Sequence, residues 1–185
     1  SMESNSIKIP GSFILFDSME AKNTTKILSD AKFPVLKAME ELRPKGINSI
    51  RDFNADPDLI SLVDHLEPFL CKKLKASIDN YIILNDARRM LSNGGFDDQL
   101  FGDLIYRHHC NLRDGLGTST TKIERILDVA LNAGALGGKV NGSGGGGCCF
   151  VYAHENDAEN ILDAVKKEGY PGKILNQDNG VRRDE

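Results

Sequence analysis

No stretch of this 185-residue chain is apolar for anything near the roughly 20 residues a membrane-spanning helix needs. The longest such runs, Phe13–Phe16 and Cys148–Ala153, are a few residues each. There is no Lys/Arg-rich tract, and a net charge of −4 offers no general attraction to nucleic acid or anionic lipid. Any phosphate the protein binds must therefore be held locally. A signal-peptide pattern is also missing, so a cytoplasmic location is expected. Cys71, Cys110, Cys148 and Cys149 lack metal-site spacing, and an adjacent pair is badly placed to bridge to itself. They read as reduced, small core residues. No internal repeat or extended low-complexity tract is present. What remains is an ordinary globular composition, 40% hydrophobic, with room for one domain of normal size or two small ones. Ser1-Met2 reads as a tag remnant, and residues 1–10 as a leader excluded from the fold.

The patterning alternates between helical and extended segments. GSFILFD, residues 11–17, reads as a buried strand ending at Asp17 and Ser18. Thr24 to Leu42 is predicted helical, with Pro34 as a bend or break. Asp56-Pro57 is a helix start, Pro68 separates that helix from the next, and the pattern from Phe69 to about Ser92 ends at Asn93-Gly94-Gly95. Residues 97–117 read as one helix with His108 on its apolar stripe, stopped by Gly115 and Gly117. Thr121-x-x-Glu124 predicts a capping box, followed by Ile123, Ile126, Leu127 and Ala130 on one face and Gly134 as the stop. CCFVYA is β-prone, NDAENILDAVKKEG is a short amphipathic helix capped at Asn156 or Asp157, and GKILN is a final strand. The order predicts an α+β fold, with helices covering an antiparallel sheet.

The stretch GALGGKVNGSGGGGCCF, residues 134–150, is the feature most in need of a cause. A flexible linker is disfavoured, because β-capable residues 139–141 and 148–153 bracket the glycines and linkers rarely sit inside hairpins. A hairpin loop needing positive φ accounts for one or two of them. Close approach of backbone to a neighbouring element, or to an anion met by successive N–H groups, is the remaining reason. Gly142-x-Gly144-x-x-Gly147 satisfies the dinucleotide pattern in form, yet a strand follows where that motif opens a helix. Gly138-Lys139 has Ala133 and Val140 where a Walker A loop demands Gly and Ser/Thr.

These residues resemble a known family. GALGGKVNGSGGGGCCFVYA is similar to the third conserved motif of the GHMP kinases, the group of galactokinase, homoserine kinase, mevalonate kinase and phosphomevalonate kinase. Upstream, FGDLIYRHHCNLRDGLGTSTTKIERILDVALNAG resembles the galactokinase stretch in which a helix bearing His and Leu-Arg-Asp leads through a Ser/Thr turn and a second helix to the glycine loop. FILFDS and GKILNQDNGVR fit the start and end of a galactokinase-like C-terminal half. The resemblance covers residues 11–185, loosely over 20–95.

It implies a ferredoxin-like GHMP kinase C-terminal domain in an ATP-dependent sugar kinase, with ATP and Mg²⁺ as cofactors. The sugar and ATP would be bound together with an N-terminal domain, since that half's sugar segment, phosphate loop and catalytic Asp motif are not found here. The chain alone is accordingly expected to be inactive and to self-associate through the face left uncovered. No catalytic residue is assigned, Asp17 included. The nucleotide and substrate loop is Asn141, Gly142, Ser143, Gly144, Gly145, Gly146 and Gly147, with Ser143 as a hydroxyl donor and Lys139 as a candidate phosphate contact. The Tyr and paired Arg that galactokinases carry after their first strand have no counterpart in NTTKILSDAKFPVL, and GSGGGGC is closer to the mevalonate-kinase style. The substrate expected is thus a sugar or uronic acid related to galactose. The competing expectation is a non-catalytic α+β module that binds a small ligand or partner chain through the same loop.

Overall fold

The computed structural model describes residues 8–92 and 95–178. The expectations for Ser1-Met2, for Asn93-Gly94 and for the closing residues 179–182 lie outside the described residues. The elements in chain order are β1 (Ser12–Asp17), α1 (Thr24–Leu42), α2 (Asp52–Ala55), α3 (Ile60–Val63), α4 (Pro68–Ser92), α5 (Asp98–Cys110), α6 (Thr121–Asn132), β2 (Gly137–Val140), β3 (Cys148–Ala153), α7 (Ala158–Lys167) and β4 (Gly172–Leu175).

Alternation in β1 and β3 divides their residues between two faces of one sheet. The sheet order is β2-β3-β1-β4, and every neighbouring pair is antiparallel. Taken with α6 and α7, this is the β-α-β-β-α-β arrangement of the ferredoxin-like fold, with α1 to α5 inserted between β1 and α6. The fold is α+β. Ile14, Phe16, Val140, Cys149 and Val151 line the inner face and pack against Ile123, Ile126 and Leu127 of α6 and Ile161, Leu162 and Val165 of α7. Each such large side chain contributes about 1.5–3 kcal/mol when fully buried. On the other face Phe13 and Tyr152 meet Phe101 of α5, with ring centroids 5.0 Å apart for Phe101 and Tyr152.

A second core lies among the inserted helices. Ala38 and Leu42 of α1 pack with Leu70, Leu74 and Ile78 of α4, closed by Ile47, Phe53 and Val63. α1 runs through Pro34 without the break that was one expectation there, although the ring removes a helical hydrogen bond. Asp56 caps the turn at Pro57 by accepting from the Asp58 N–H, and α4 begins at Pro68, as the sequence predicts.

The stretch 97–117 departs from a single regular helix. After Cys110 it widens into a π-helical turn over residues 111–116, ending at Gly117 with φ 70°. The Asn111 amide donates to Asp79 and Asn80 of α4, and a Cβ on Gly115 would strike Ala76. Contact with α4 therefore sets the widened turn, which no local period reveals. Glycines also fix where α5 meets the sheet edge: the Cβ that Gly102 lacks would overlap the Leu136 backbone, and that of Gly137 the Gly102 carbonyl.

α6 carries the predicted apolar stripe, but its cap is displaced by one residue. Thr120, not Thr121, accepts the Ile123 N–H, and the Glu124 carboxylate is spent on tertiary partners instead of closing a capping box. α7 starts at Ala158 after Asp157, whose side chain makes no capping bond.

Candidate functional site

β1 delivers the chain to the site. Asp17, its exposed last residue, pairs with Cys148, the first residue of β3, so both strand ends open beside the glycine loop. The Asp17 carboxylate accepts the Met19 N–H at 2.8 Å, and the Ser18 hydroxyl accepts the Glu20 N–H at 3.3 Å. These local side-chain bonds accompany Met19 at φ 55°, the one positive φ outside glycine among the described residues. Such a conformation costs on the order of 1–3 kcal/mol and is tolerated where the surroundings over-determine it.

The loop from Asn141 to Gly147 joins β2 to β3 as a hairpin, with the Asn141 N–H donating to the Cys148 carbonyl at 2.9 Å. Positive φ is needed at Gly142, Gly144, Gly145, Gly146 and Gly147, more than the one or two expected of a hairpin. Two of them are also pressed against their surroundings. A Cβ on Gly144 would strike the Thr118 carbonyl, and one on Gly145 the Ile27 side chain of α1. Neighbouring elements thus account for these glycines without an anion.

Two carbonyls clamp the loop. Gly145 donates to Thr118 at 2.7 Å and Gly147 donates to Glu20 at 3.0 Å, while the Gly147 carbonyl accepts the Ser18 N–H at 2.9 Å. The Thr120 hydroxyl meets the Glu20 carboxylate, tying one clamp to the other. The N–H groups of Gly142, Ser143, Gly144 and Gly146 have no protein acceptor among the described residues. A cleft of about 540 Å³ lies beside this turn, lined by Asp17, Glu20, Lys22, Asn141, Gly142 and Gly147 among others. Lys22 is the cation of that lining, its ammonium 3.8 Å from where a Cβ of Gly142 would stand. The arrangement offers a small anionic group the Gly142 N–H and one cation, beside the carboxylates of Asp17 and Glu20.

Residues 90–171 match the model of the family described as GHMP kinases C terminal. This segment belongs to the GHMP kinase C-terminal family. Over 84 residues the chain is 38% identical to the mevalonate kinase of Thermococcus onnurineus (strain NA1), a match covering 45% of this chain and 25% of that protein. It is 22% identical over 157 residues to the galactokinase of Clostridium acetobutylicum, covering 82% of this chain and 40% of the relative. Among solved structures, Lactococcus lactis galactokinase complexed with galactose superposes with a TM-score of 0.71 at 18% identity, covering 90% of this chain and 45% of that one. L. major mevalonate kinase in complex with R-mevalonate gives 0.58 at 20% identity, covering 88% and 40%. At these identities the structural likeness speaks for the fold. The chain spans less than half the length of these relatives.

Within the GHMP segment the predicted loop residues divide. Asn141, Gly142 and Gly147 line the cleft, whereas Gly144 and Gly145 are turned onto Thr118 and Ile27. Ser143 and Gly146 are not among the lining residues, and the Ser143 hydroxyl lies 3.4 Å from the Gly144 carbonyl. Lys139 is not in the cleft. It stands opposite Phe150 in the sheet with its ammonium 5.4 Å from that ring, and burial lowers its pKa. Sequence reading missed Lys22 because it reaches the loop only through the pairing of Ser18 and Glu20 with Gly147; nothing in its spacing announces this.

His109 takes the buried place that the apolar stripe assigned to His108. His109, not His108, is fully buried, because it lies two turns from Gly102 on the face of α5 that meets β2. Its Nδ1 accepts the Val140 N–H at 3.3 Å, so the imidazole is neutral with its proton on Nε2, 2.9 Å from Glu124. Burial lowers its pKa although Glu124 pulls the other way. Burial, assisted by Lys139 and His109, takes His108 down to about 4. Glu124 also receives Arg113 at 3.1 Å and the Ser119 hydroxyl, so one carboxylate joins Arg113 to the Ser/Thr turn. Burial pushes the Cys149 thiol up to about 12, which keeps it protonated and unsuited to nucleophilic work.

Proposed function

We propose that this chain supplies the C-terminal half of an ATP-dependent kinase that transfers a phosphoryl group to a hydroxyl of a sugar or uronic acid. The observation that carries the reading is that Lys22 and Gly142, whose N–H has no acceptor among the described residues, stand together in the lining of one cleft at the end of β1. Phosphoryl transfer depends on positioning and charge neutralisation, and these groups suit part of that task. The similarity to galactokinase over most of the chain supports a sugar; the higher local identity to mevalonate kinases makes mevalonate the principal competitor. The domain is taken to run from residue 11 to residue 185, and the place of β1 between β3 and β4 supports counting its N-terminal strand in.

ATP suits the loop's donors. Mg²⁺ is a different matter: among the described residues no three His, Cys, Asp or Glu side chains cluster to hold a metal ion, and Glu20 is already engaged by Thr120. In this reading the ion comes with the nucleotide phosphates, as Mg²⁺ commonly does. This chain contributes no assigned base, so it is inactive without an N-terminal half.

The test is ADP release from MgATP by a protein spanning the relatives' full length, with a panel of hexoses, uronic acids and mevalonate. Turnover with a sugar or uronic acid is expected, with Lys22→Ala lowering kcat/KM about ten-fold or more through the lost charged contact. Turnover with mevalonate alone would remove the sugar, and absence of both turnover and nucleotide binding would favour the non-catalytic module. The 185-residue chain in the same assay should give no turnover.

A further inference from the structure

Lys73 of α4 is a lysine only 8% exposed, in a class of side chains that almost always reach water. Its ammonium donates to the Leu116 carbonyl at 2.6 Å and sits 5.3 Å from the Phe69 ring centroid. Among the described residues no carboxylate forms an ion pair with it. A methionine would pack in the same space without the cost of burying charge, so the hydrogen bond to Leu116 needs a reason.

The reason lies two residues further on. Leu116 is the last residue of the π-helical turn, and Thr118 follows it after Gly117. The Thr118 N–H and hydroxyl both return to the Leu112 carbonyl, at 2.9 Å and 3.1 Å, closing the turn on itself. The outward Thr118 carbonyl then receives Gly145, and Gly144 lies against it so closely that a side chain is excluded. An unbroken series of contacts therefore runs from Lys73 through Leu116 and Thr118 to the middle of the glycine loop.

We propose that Lys73 is a positioning residue for the glycine loop: by fixing the Leu116 carbonyl it holds Thr118 where Gly145 must dock, so the inserted helices set the loop's shape. Only the functional consequence of this, for nucleotide binding, rests on the kinase reading. The mechanical claim stands on the loop itself and is read without ligand.

Amide hydrogen exchange of the ligand-free chain is the test. In the wild-type protein the Thr118 and Gly145 amides should open together, with the same dependence on denaturant. In Lys73→Met, exchange of the Gly145 and Gly147 amides should rise about ten-fold or more, the scale of a lost charged hydrogen bond, while α6 and α7 keep their protection. Lys73→Arg should restore the loop, because it can still donate to Leu116, and Phe69→Leu should leave it unchanged. The proposal is overturned if Thr118 and Gly145 open independently in the wild type, which can be read even should the variant not fold. It is equally overturned if folded Lys73→Met leaves the loop's exchange unchanged, or raises exchange uniformly across the chain. In the full-length enzyme the same variant should raise KM for ATP with a smaller change in kcat. A loop response without a KM response would leave the positioning intact and count against the loop as the nucleotide site.

Discussion

A glycine with positive φ can be demanded by backbone angle alone or by angle and space together, and two residues here separate the cases. Gly134, at φ 110°, has nothing within 4 Å of where a Cβ would stand, whereas Gly144, at φ 75°, faces the Thr118 carbonyl. Gly134→Ala should cost about 1 kcal/mol, the ordinary penalty of a left-handed alanine. Gly144→Ala should cost more, on the order of 3 kcal/mol, since backbone must also move. Urea unfolding of the two variants measures the difference, and equal losses would mean that Thr118 yields freely. The histidines give a second residue-scale outcome. Both native imidazoles have pKa values below that of the unfolded chain, about 6.5, so the unfolded chain takes up protons first as pH falls. Their contribution is complete above pH ~6.5 and is lost below it, until native His108 itself titrates at about 4. Thermal midpoints between pH 7 and pH 4 should fall on acidification, and less steeply in His108→Gln. His109 adds a structural reason, because its protonation breaks the acceptor on which the Val140 N–H depends.

Among the elements, α6 was the most legible in the sequence. Its stripe of Ile123, Ile126, Leu127 and Ala130 follows the period of one helical face, and all four residues are in the core. Its cap was misplaced because two threonines compete, and the choice between them is made by Glu20, distant in sequence, which engages Thr120. Thr120→Ala should therefore lower stability by about 1 kcal/mol, and Thr121→Ala by less than about 0.5 kcal/mol, in thermal or urea unfolding. The hairpin around the glycines was legible for the same reason as α6, since both bracketing runs are local. The π-helical turn was not, being shaped by Ala76 and Asn80 of α4. Lys22 and His109 were also invisible, as their roles depend on the pairing of residues 18–20 with Gly147 and on a helix face chosen by Gly102.

At the scale of the whole molecule, the inserted helices have their own core and present an outer face of α1 with Leu28, Phe33 and Leu36 exposed at 51%, 65% and 45%. An apolar strip of that kind favours association when nothing covers it. Sedimentation equilibrium of the chain should show concentration-dependent self-association, and Leu28→Ser with Phe33→Ser should reduce it; a monomer at all concentrations would refute the expectation.

The place of β1 between β3 and β4 sets a timetable for the chain. Ser12 pairs with Ala153 and Phe13 with Leu175, so β1 is completed only by segments made long after it. At roughly 5–20 residues per second of synthesis, β1 waits on the order of ten seconds without a partner, while α1 and α4 can already join. Sheet closure over so long a separation is slow, and a nascent chain stalled before Cys148 would present an apolar strand with no edge to meet.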